Sequence, residues 1–199
     1  TRTSWRRSQS CWGYAHVITP LPSLGIFNPA ECQEIIKIGQ QGLMKEAGLV
    51  RGRQNMSIRS ARIGWLDDQG DAAWVLRRVM DVVGKANRAH FGFQLSEFAE
   101  KLQFAIYDAA QEGHFDWHMD IGGSGLAAQR KLSLVVQLNK PDDYKGGALQ
   151  LNVGGVVEDA ALHEGSGLMF PSFVLHRVTP METGIRMSLT TWVHGPEFT

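Results

Sequence analysis

The chain has 199 residues, 43% of them hydrophobic and 20% charged, which describes an ordinary globular protein of one domain, long enough to bury roughly two-thirds of its unfolded surface. Twenty basic and twenty acidic residues give a formal net charge of zero, which removes the simplest electrostatic case for a nucleic-acid partner. No apolar run approaches a membrane span, and Cys11 and Cys32 form neither a disulfide framework nor a zinc motif, so both are read as free thiols in a cytoplasmic protein with no membrane or nucleic-acid partner.

Ser4-Trp5-Arg6-Arg7-Ser8 has the look of a twin-arginine signal, but no apolar segment follows it. Tyr14–Thr19 is predicted to be a first strand, stopped by Pro20 and Pro22. Asn28-Pro29-Ala30-Glu31 starts a helix. Asn28 caps it, Pro29 suits the first helical position, and Glu31 reaches back to the cap. Cys32, Ile35, Ile36 and Ile38 supply its apolar positions, and the pattern continues to about Ala47. Arg51, Arg53, Arg59 and Arg62 are diluted by polar residues and read as a solvated sheet edge. Ile58–Leu66 alternates as a strand, with Ile58, Arg62 and Gly64 on one face and Ala61, Ile63 and Trp65 on the other. Trp74, Val75, Val79, Val82, Val83 and Ala86 recur at helical spacing, predicting a second helix from Asp71 to His90 packed on a sheet.

From Leu102 onward the signals are short strands punctuated by glycine and proline: Leu102–Asp108, His114–Asp120, Leu132–Leu138, Ala148–Asn152, Val156–Leu162, Leu168–Phe170, Val174–Thr179 and Ile185–Val193. So many strands in so short a length predict an α+β, mainly β fold, a closed or double-sheet structure such as a jelly roll. Residues 1–100 would form a helical support region with leading strands, and residues 101–195 the β-core.

Two histidines and one carboxylate are the protein ligands of a non-haem iron(II) site that keeps positions open. The chain offers His118-Met119-Asp120 and, 58 residues after His118, His176. Residues two apart on a strand leave the same face. His114-Phe115-Asp116 is a second pair in the same register, and on a regular strand His114, Asp116, His118 and Asp120 all face one way, so spacing alone does not select between them. Gly122-Gly123 lets the backbone turn away after Asp120. Arg186 lies ten residues beyond His176, across an expected turn at Glu182-Thr183-Gly184, and Ser188 shares its face. A buried arginine without an anion is costly. A guanidinium and a hydroxyl together hold a carboxylate, which a dicarboxylate co-substrate would provide. His16, His90, His163 and His194 are read as hydrogen-bonded or solvated side chains.

Four stretches carry a family resemblance: Leu102–Tyr107, Phe115–Asp120, Tyr144-Lys145-Gly146-Gly147-Ala148-Leu149, and Phe170–Pro180 continuing to Gly184–Leu189. Over about residues 100–195 the chain resembles the iron(II)/2-oxoglutarate-dependent oxygenases of the prolyl 4-hydroxylase-like branch. The resemblance implies a double-stranded β-helix in which His118, Asp120 and His176 ligate iron at the catalytic centre. It implies that 2-oxoglutarate chelates the metal and places its far carboxylate on Arg186, helped by Ser188, with Tyr107 at the active-site wall. Two departures stand out. Collagen-type prolyl hydroxylases usually carry lysine where this chain has Arg186, which points to bacterial relatives. Gln137 occupies a position from which some relatives offer a tyrosine hydroxyl to 2-oxoglutarate.

The implied reaction consumes O2, decarboxylates 2-oxoglutarate to succinate and CO2, and hydroxylates an unactivated C–H bond, with ascorbate as a stimulating reductant. Related halogenases lack the carboxylate ligand, so Asp120 argues for hydroxylation, with desaturation and cyclisation as alternatives. The substrate implied is a prolyl residue, a free amino acid or a small peptide-like molecule, and Arg59, Arg62, Trp117, Arg130 and Trp192 are the candidate residues for its pocket. Two other readings compete. A cupin-like metalloenzyme independent of 2-oxoglutarate has no use for Arg186 with Ser188. A non-catalytic binding or sensing module has no use for the intact triad.

Overall fold

The computed structural model describes residues 19–23, 25–42 and 58–198, together with the backbone of three short strands between residues 45 and 54. Tyr14–Ile18, Cys11, His16 and Arg51 lie outside the described residues. The elements run β1 (Leu21–Ser23), α1 (Pro29–Gln41), β2 (Lys45–Glu46), β3 (Leu49–Val50), β4 (Arg53–Gln54), β5 (Arg59–Ser60), β6 (Arg62–Leu66), α2 (Ala73–Ala86) and β7 (Leu102–Asp108). They continue with β8 (His114–His118), β9 (Arg130–Gln137), β10 (Tyr144–Gly146), β11 (Leu149–Val153), β12 (Val156–Asp159), β13 (Gly167–Pro171), β14 (Leu175–Val178) and β15 (Met181–His194).

Two antiparallel sheets face each other. The larger has the order β1-β13-β9-β15-β7-β6-β2, with β10 also pairing with β15. The smaller has the order β12-β11-β14-β8-β5, and β3 and β4 pair separately. The first hundred residues thus supply strands to both sheets as well as the helices. This is the double-sheet structure expected from the strand count, in the double-stranded β-helix arrangement that the family resemblance implies.

Alternation divides the large sheet into two environments. Phe104, Ile106, Leu132, Leu134, Val136, Met169, Leu189 and Val193 join the core that also holds Ile35 and Ile36 of α1 and Val75, Val79 and Val83 of α2. Residues between them in sequence, including Ala105, Tyr107, Val135, Leu168 and Phe170, join a second core shared with Leu149, Leu151 and Val178 of the small sheet. The active pocket opens from this second layer.

Local chemistry explains the helix ends. The Asn28 side chain accepts from the Glu31 N–H at 2.9 Å, while the Asn28 N–H donates to the Glu31 carboxylate at 2.8 Å. The helix stops at Gln41 rather than near Ala47, because Gly42 takes an extended conformation, as a residue of low helical propensity readily does. Helical backbone of the second element extends beyond α2 through a 3-10 turn at Gly70–Ala72 and a π turn at Asn87–Phe91. The Asn87 side chain closes it by bonding both the N–H and the carbonyl of Phe93. No described helix is long and apolar enough to cross a membrane.

Two expectations about the strands are corrected. Ile58–Leu66 is not one strand: it breaks at buried Ala61, with β5 joining the small sheet and β6 the large one. The facing of β6 is as expected, since Arg62 and Gly64 lie opposite Ile106 and Phe104 while Ile63 and Trp65 lie opposite Ala105 and Gln103. Glu182-Thr183-Gly184 is not a turn but part of β15, paired with Tyr144 and Lys145 of β10. At Thr179-Pro180 the chain passes without reversing from β14 of the small sheet to β15 of the large one, still hydrogen-bonded to Gly147 and Ala148.

Gly39 lets α1 lie against the sheet, because a Cβ there would sit 2.5 Å from Cγ of the fully buried Phe104. Alanine at that position gains up to about 1 kcal/mol of helix propensity but overpacks the core at a cost of roughly 1–3 kcal/mol. Gly39→Ala is therefore expected to lower the midpoint of thermal unfolding, and a raised midpoint would contradict this packing.

Candidate active site

His118 ends β8, His176 stands on β14, and the two are directly paired across the small sheet. Asp120 lies just past β8, where its N–H and that of Ile121 both donate to the Ser172 carbonyl. These bonds bend the chain so that the carboxylate meets the two imidazoles. One ligand atom from each of the three residues lies within 4.8 Å of the others, making His118, Asp120 and His176 a candidate metal site.

The register of β8 selects this pair over His114 and Asp116. A bulge interrupts the β8–β14 pairing, which runs from His118↔His176 to Phe115↔Val178. Phe115 and His118, three apart, therefore both line the pocket. The single face expected for His114, Asp116, His118 and Asp120 does not exist. Asp116 is exposed, and the His114 Nδ1 meets the Glu112 carbonyl at 2.6 Å, away from the triad.

Each ligand histidine is held in one tautomer. Nδ1 of His118 lies 2.7 Å from the Asp116 carbonyl, and Nδ1 of His176 lies 2.9 Å from the Val174 carbonyl. A carbonyl only accepts, so each Nδ1 carries the proton and each Nε2 presents a lone pair. Those Nε2 atoms stand 3.7 and 3.5 Å from the two Asp120 oxygens. Two bare nitrogens and a carboxylate thus converge with no proton between them, an arrangement that calls for a cation. Burial, then the nearby His176, pushes the His118 pKa down to about 4 against the pull of Asp120, so its ligand form dominates at neutral pH. Burial works against the Asp120 carboxylate, but His176, His118, Ser133 and Trp192 together hold its pKa below the usual value. Ser133 donates to it at 2.6 Å. The Trp192 indole N–H lies nearby without a hydrogen bond of good geometry.

At the deep end of the same pocket, Arg186 is 2% exposed and its Nη1 has no hydrogen-bond partner among the described residues. Ser188 and Tyr107 line the pocket beside it, and the guanidinium carbon is 5.6 Å from the Tyr107 ring centre. Thr190, Trp192, Gln103 and Arg59 also line this pocket. The Arg59 guanidinium lies over the Phe115 ring at 4.5 Å and donates to Gln103 at 2.8 Å.

Four expected site residues lie elsewhere. Trp117 points away from His118, stacking under the Arg177 guanidinium at 4.7 Å. Arg62 shares the helix-facing side of the sheet with Ile106. Arg130 bonds Glu100 and the Asp120 carbonyl and lies over Trp192 at 3.9 Å, so it braces the metal loop. Gln137 commits its amide nitrogen to Asn139 at 3.0 and 3.1 Å. Ser133, which supports Asp120, was not singled out in the sequence; a lone hydroxyl among the apolar residues of β9 was its only signal. His194 is a buried structural residue, accepting from the Ala99 N–H through Nδ1 and meeting Glu100 through Nε2.

The sequence pattern of the 2OG-Fe(II) oxygenase superfamily matches residues 102–194. A PKHD-type hydroxylase of Hyphomonas neptunium is 34% identical over 170 residues, covering 79% of this chain and 75% of the relative. The chain belongs to the 2OG-Fe(II) oxygenase superfamily. Another superfamily relative, a PKHD-type hydroxylase of Colwellia psychrerythraea, is 24% identical over 90% of this chain and 78% of its own. The fold is that of the prolyl hydroxylases. A Pseudomonas putida prolyl-4-hydroxylase superposes with a TM-score of 0.68 at 24% identity, covering 92% of this chain and 94% of that one. A Trichoplax adhaerens prolyl hydroxylase, solved with a hypoxia inducible factor peptide fragment, gives 0.71 at 18% identity over 90% and 84% of the two chains. Superfamily membership implies Fe(II) and 2-oxoglutarate, and the nitrogen, nitrogen and oxygen donors described above suit that metal.

His118→Ala is expected to abolish Fe(II) binding measured by calorimetry while circular dichroism stays native, and His114→Ala to leave binding unchanged. The reverse outcome would reassign the ligand pair.

Proposed function

We propose that this protein is an Fe(II)- and 2-oxoglutarate-dependent hydroxylase of unactivated C–H bonds, acting on a prolyl residue, a free amino acid or a small peptide-like molecule. One observation carries the reading. The pocket that holds the triad also holds a buried arginine with an unpartnered nitrogen. A desolvated cation of this kind needs an anion, and one that reaches from the triad to Arg186 has a carboxylate at its far end.

In this reading His118, Asp120 and His176 hold the metal on one side and leave its other positions to the co-substrates. Bound iron would supply the dioxygen activation that protein side chains cannot perform. Arg186 and Ser188 receive the distal carboxylate of 2-oxoglutarate and so fix which end of it faces the metal. Ser133 and Arg130 keep Asp120 in place, the first through its carboxylate and the second through its backbone carbonyl. Arg59, Gln103, Thr190 and Trp192 line the same pocket, where the primary substrate would present its target carbon. The relatives' names as PKHD-type hydroxylases and the peptide bound by the Trichoplax adhaerens enzyme support a prolyl or peptide-like substrate. A metalloenzyme independent of 2-oxoglutarate would leave Arg186 unexplained.

Iron-loaded protein in air is expected to release labelled CO2 slowly from 1-labelled 2-oxoglutarate even without primary substrate. His176→Ala should stop the release. Arg186→Ala should raise the KM for 2-oxoglutarate by roughly 10- to 100-fold, the loss expected for hydrogen bonds to a charged group. Absence of release from iron-loaded wild type, or a KM untouched by Arg186→Ala, would contradict the proposal.

A further inference from the structure

The pocket holds a second arginine, to which the functional reading assigns no ligand. Arg59 lines it together with the triad and Arg186. Its strand, β5, lies against β8 with Arg59 directly opposite Phe115. The next residue, buried Ser60, ties the strand down by donating to the Gln111 carbonyl at 2.7 Å. The Arg59 guanidinium lies 4.5 Å from the Phe115 ring centre, and the same ring stacks on His118 at 3.5 Å with the planes 15° apart. One aromatic side chain therefore fixes the cation relative to a metal ligand.

That cation lacks a counter-charge. Among the described residues its one hydrogen-bond partner is the neutral Gln103, 2.8 Å away, and its Nε is buried with none. The surrounding sequence supplies no acid either: between Glu46 and Asp67 stand Arg51, Arg53, Arg59 and Arg62 and no carboxylate. Glu46 is paired in register with Arg62 rather than Arg59, and Asp120 is turned to the two histidines and Ser133. A guanidinium held in a pocket in this way is costly to leave without an anion. Its bond to Gln103 has a further effect. Arginine only donates, so the Gln103 oxygen accepts and the Gln103 NH2 is left to donate. A cation and an amide thus offer donors to one anion beside the metal ligands.

We infer that Arg59, with Gln103, holds a carboxylate of the primary substrate, so that the enzyme takes an amino acid with its carboxylate free rather than a residue inside a peptide chain. The inference rests on the functional reading above and narrows it. With Arg186 given to 2-oxoglutarate, Arg59 is the cation left for the second substrate. A residue within a chain presents an amide there, which accepts a hydrogen bond but brings no charge. Because Phe115 touches both Arg59 and His118, few bonds separate the anchored carboxylate from the carbon presented to the metal, which suits a small molecule.

The test supplies iron-loaded wild type, Arg59→Lys and Arg59→Gln, each checked by circular dichroism, with 1-labelled 2-oxoglutarate and three kinds of probe. These are each standard L-amino acid, the corresponding amide, and an N-acetylated, C-amidated peptide with an internal proline. At least one free acid is expected to accelerate labelled CO2 release by wild type, with kcat/KM about tenfold or more above that of its amide, and the blocked peptide to trail it. Arg59→Gln should cost that acid roughly 10- to 100-fold and erase the preference over the amide, while Arg59→Lys, which keeps the charge, should retain part of it. Should Arg59→Gln not fold, Arg59→Lys and the wild-type comparison of acid with amide decide. The inference is overturned if no acid raises release above the substrate-free rate, if amide or blocked peptide does as well as the acid, or if Arg59→Gln lowers acid and amide alike. Those outcomes leave substrate-free release, and with it the functional reading, intact. Iron-loaded wild type that releases no CO2 under any condition overturns both.

Discussion

Along β15, neighbouring residues belong to environments that cannot be exchanged. Leu189 and Val193 pack under the helices, while Arg186, Ser188, Thr190 and Trp192 face the pocket. A slip of one residue would put the guanidinium among aliphatic side chains and leucine in the pocket, so the register of this strand is strongly specified. The strands on either side enforce it: Arg186 lies opposite Tyr107 of β7, and Ser188 lies opposite both Ala105 of β7 and Gln137 of β9. The pocket therefore inherits its geometry from the same alternation that builds the hydrophobic core.

The triad depends on a second constraint, contact between the sheets. His118 and His176 belong to the small sheet, but Asp120 is held by Ser133 of the large one. Glu100, Arg130, Trp192 and His194 extend that support into a network of charge pairing and stacking beside the metal loop. Residues that orient a ligand in this way commonly matter nearly as much as the ligands. The three donors converge only when both sheets are packed, so folding and site assembly are one event. Arg186 stands outside this network, its cationic charge uncompensated among the described residues, and in the proposed reading a dicarboxylate would balance it.

Features set by neighbours in sequence were legible before the structure. The capping box at Asn28–Glu31 and the alternation of Leu102–Asp108 need only local rules, and both stand where they were expected. Features set by distant partners were not. The bulge in β8 leaves no mark in the sequence, so spacing alone could not separate His118 from His114. Ile58–Leu66 alternates throughout, which hides the corner at Ala61 where it passes between sheets. Arg130 read as a pocket residue because its partner Glu100 lies 30 positions away. Tyr144–Gly146 is three residues long and ends in glycine, too short for periodicity to reveal.

The central claim is that the triad and Arg186 form one binding site for a chelating dicarboxylate. Anaerobic titration of Fe(II)-loaded protein with 2-oxoglutarate, followed by visible absorbance, tests it most directly. A metal-to-ligand charge-transfer band that saturates in wild type, and needs far more 2-oxoglutarate in Arg186→Ala, is the predicted result. Protein shown to hold iron that develops no band would contradict the account.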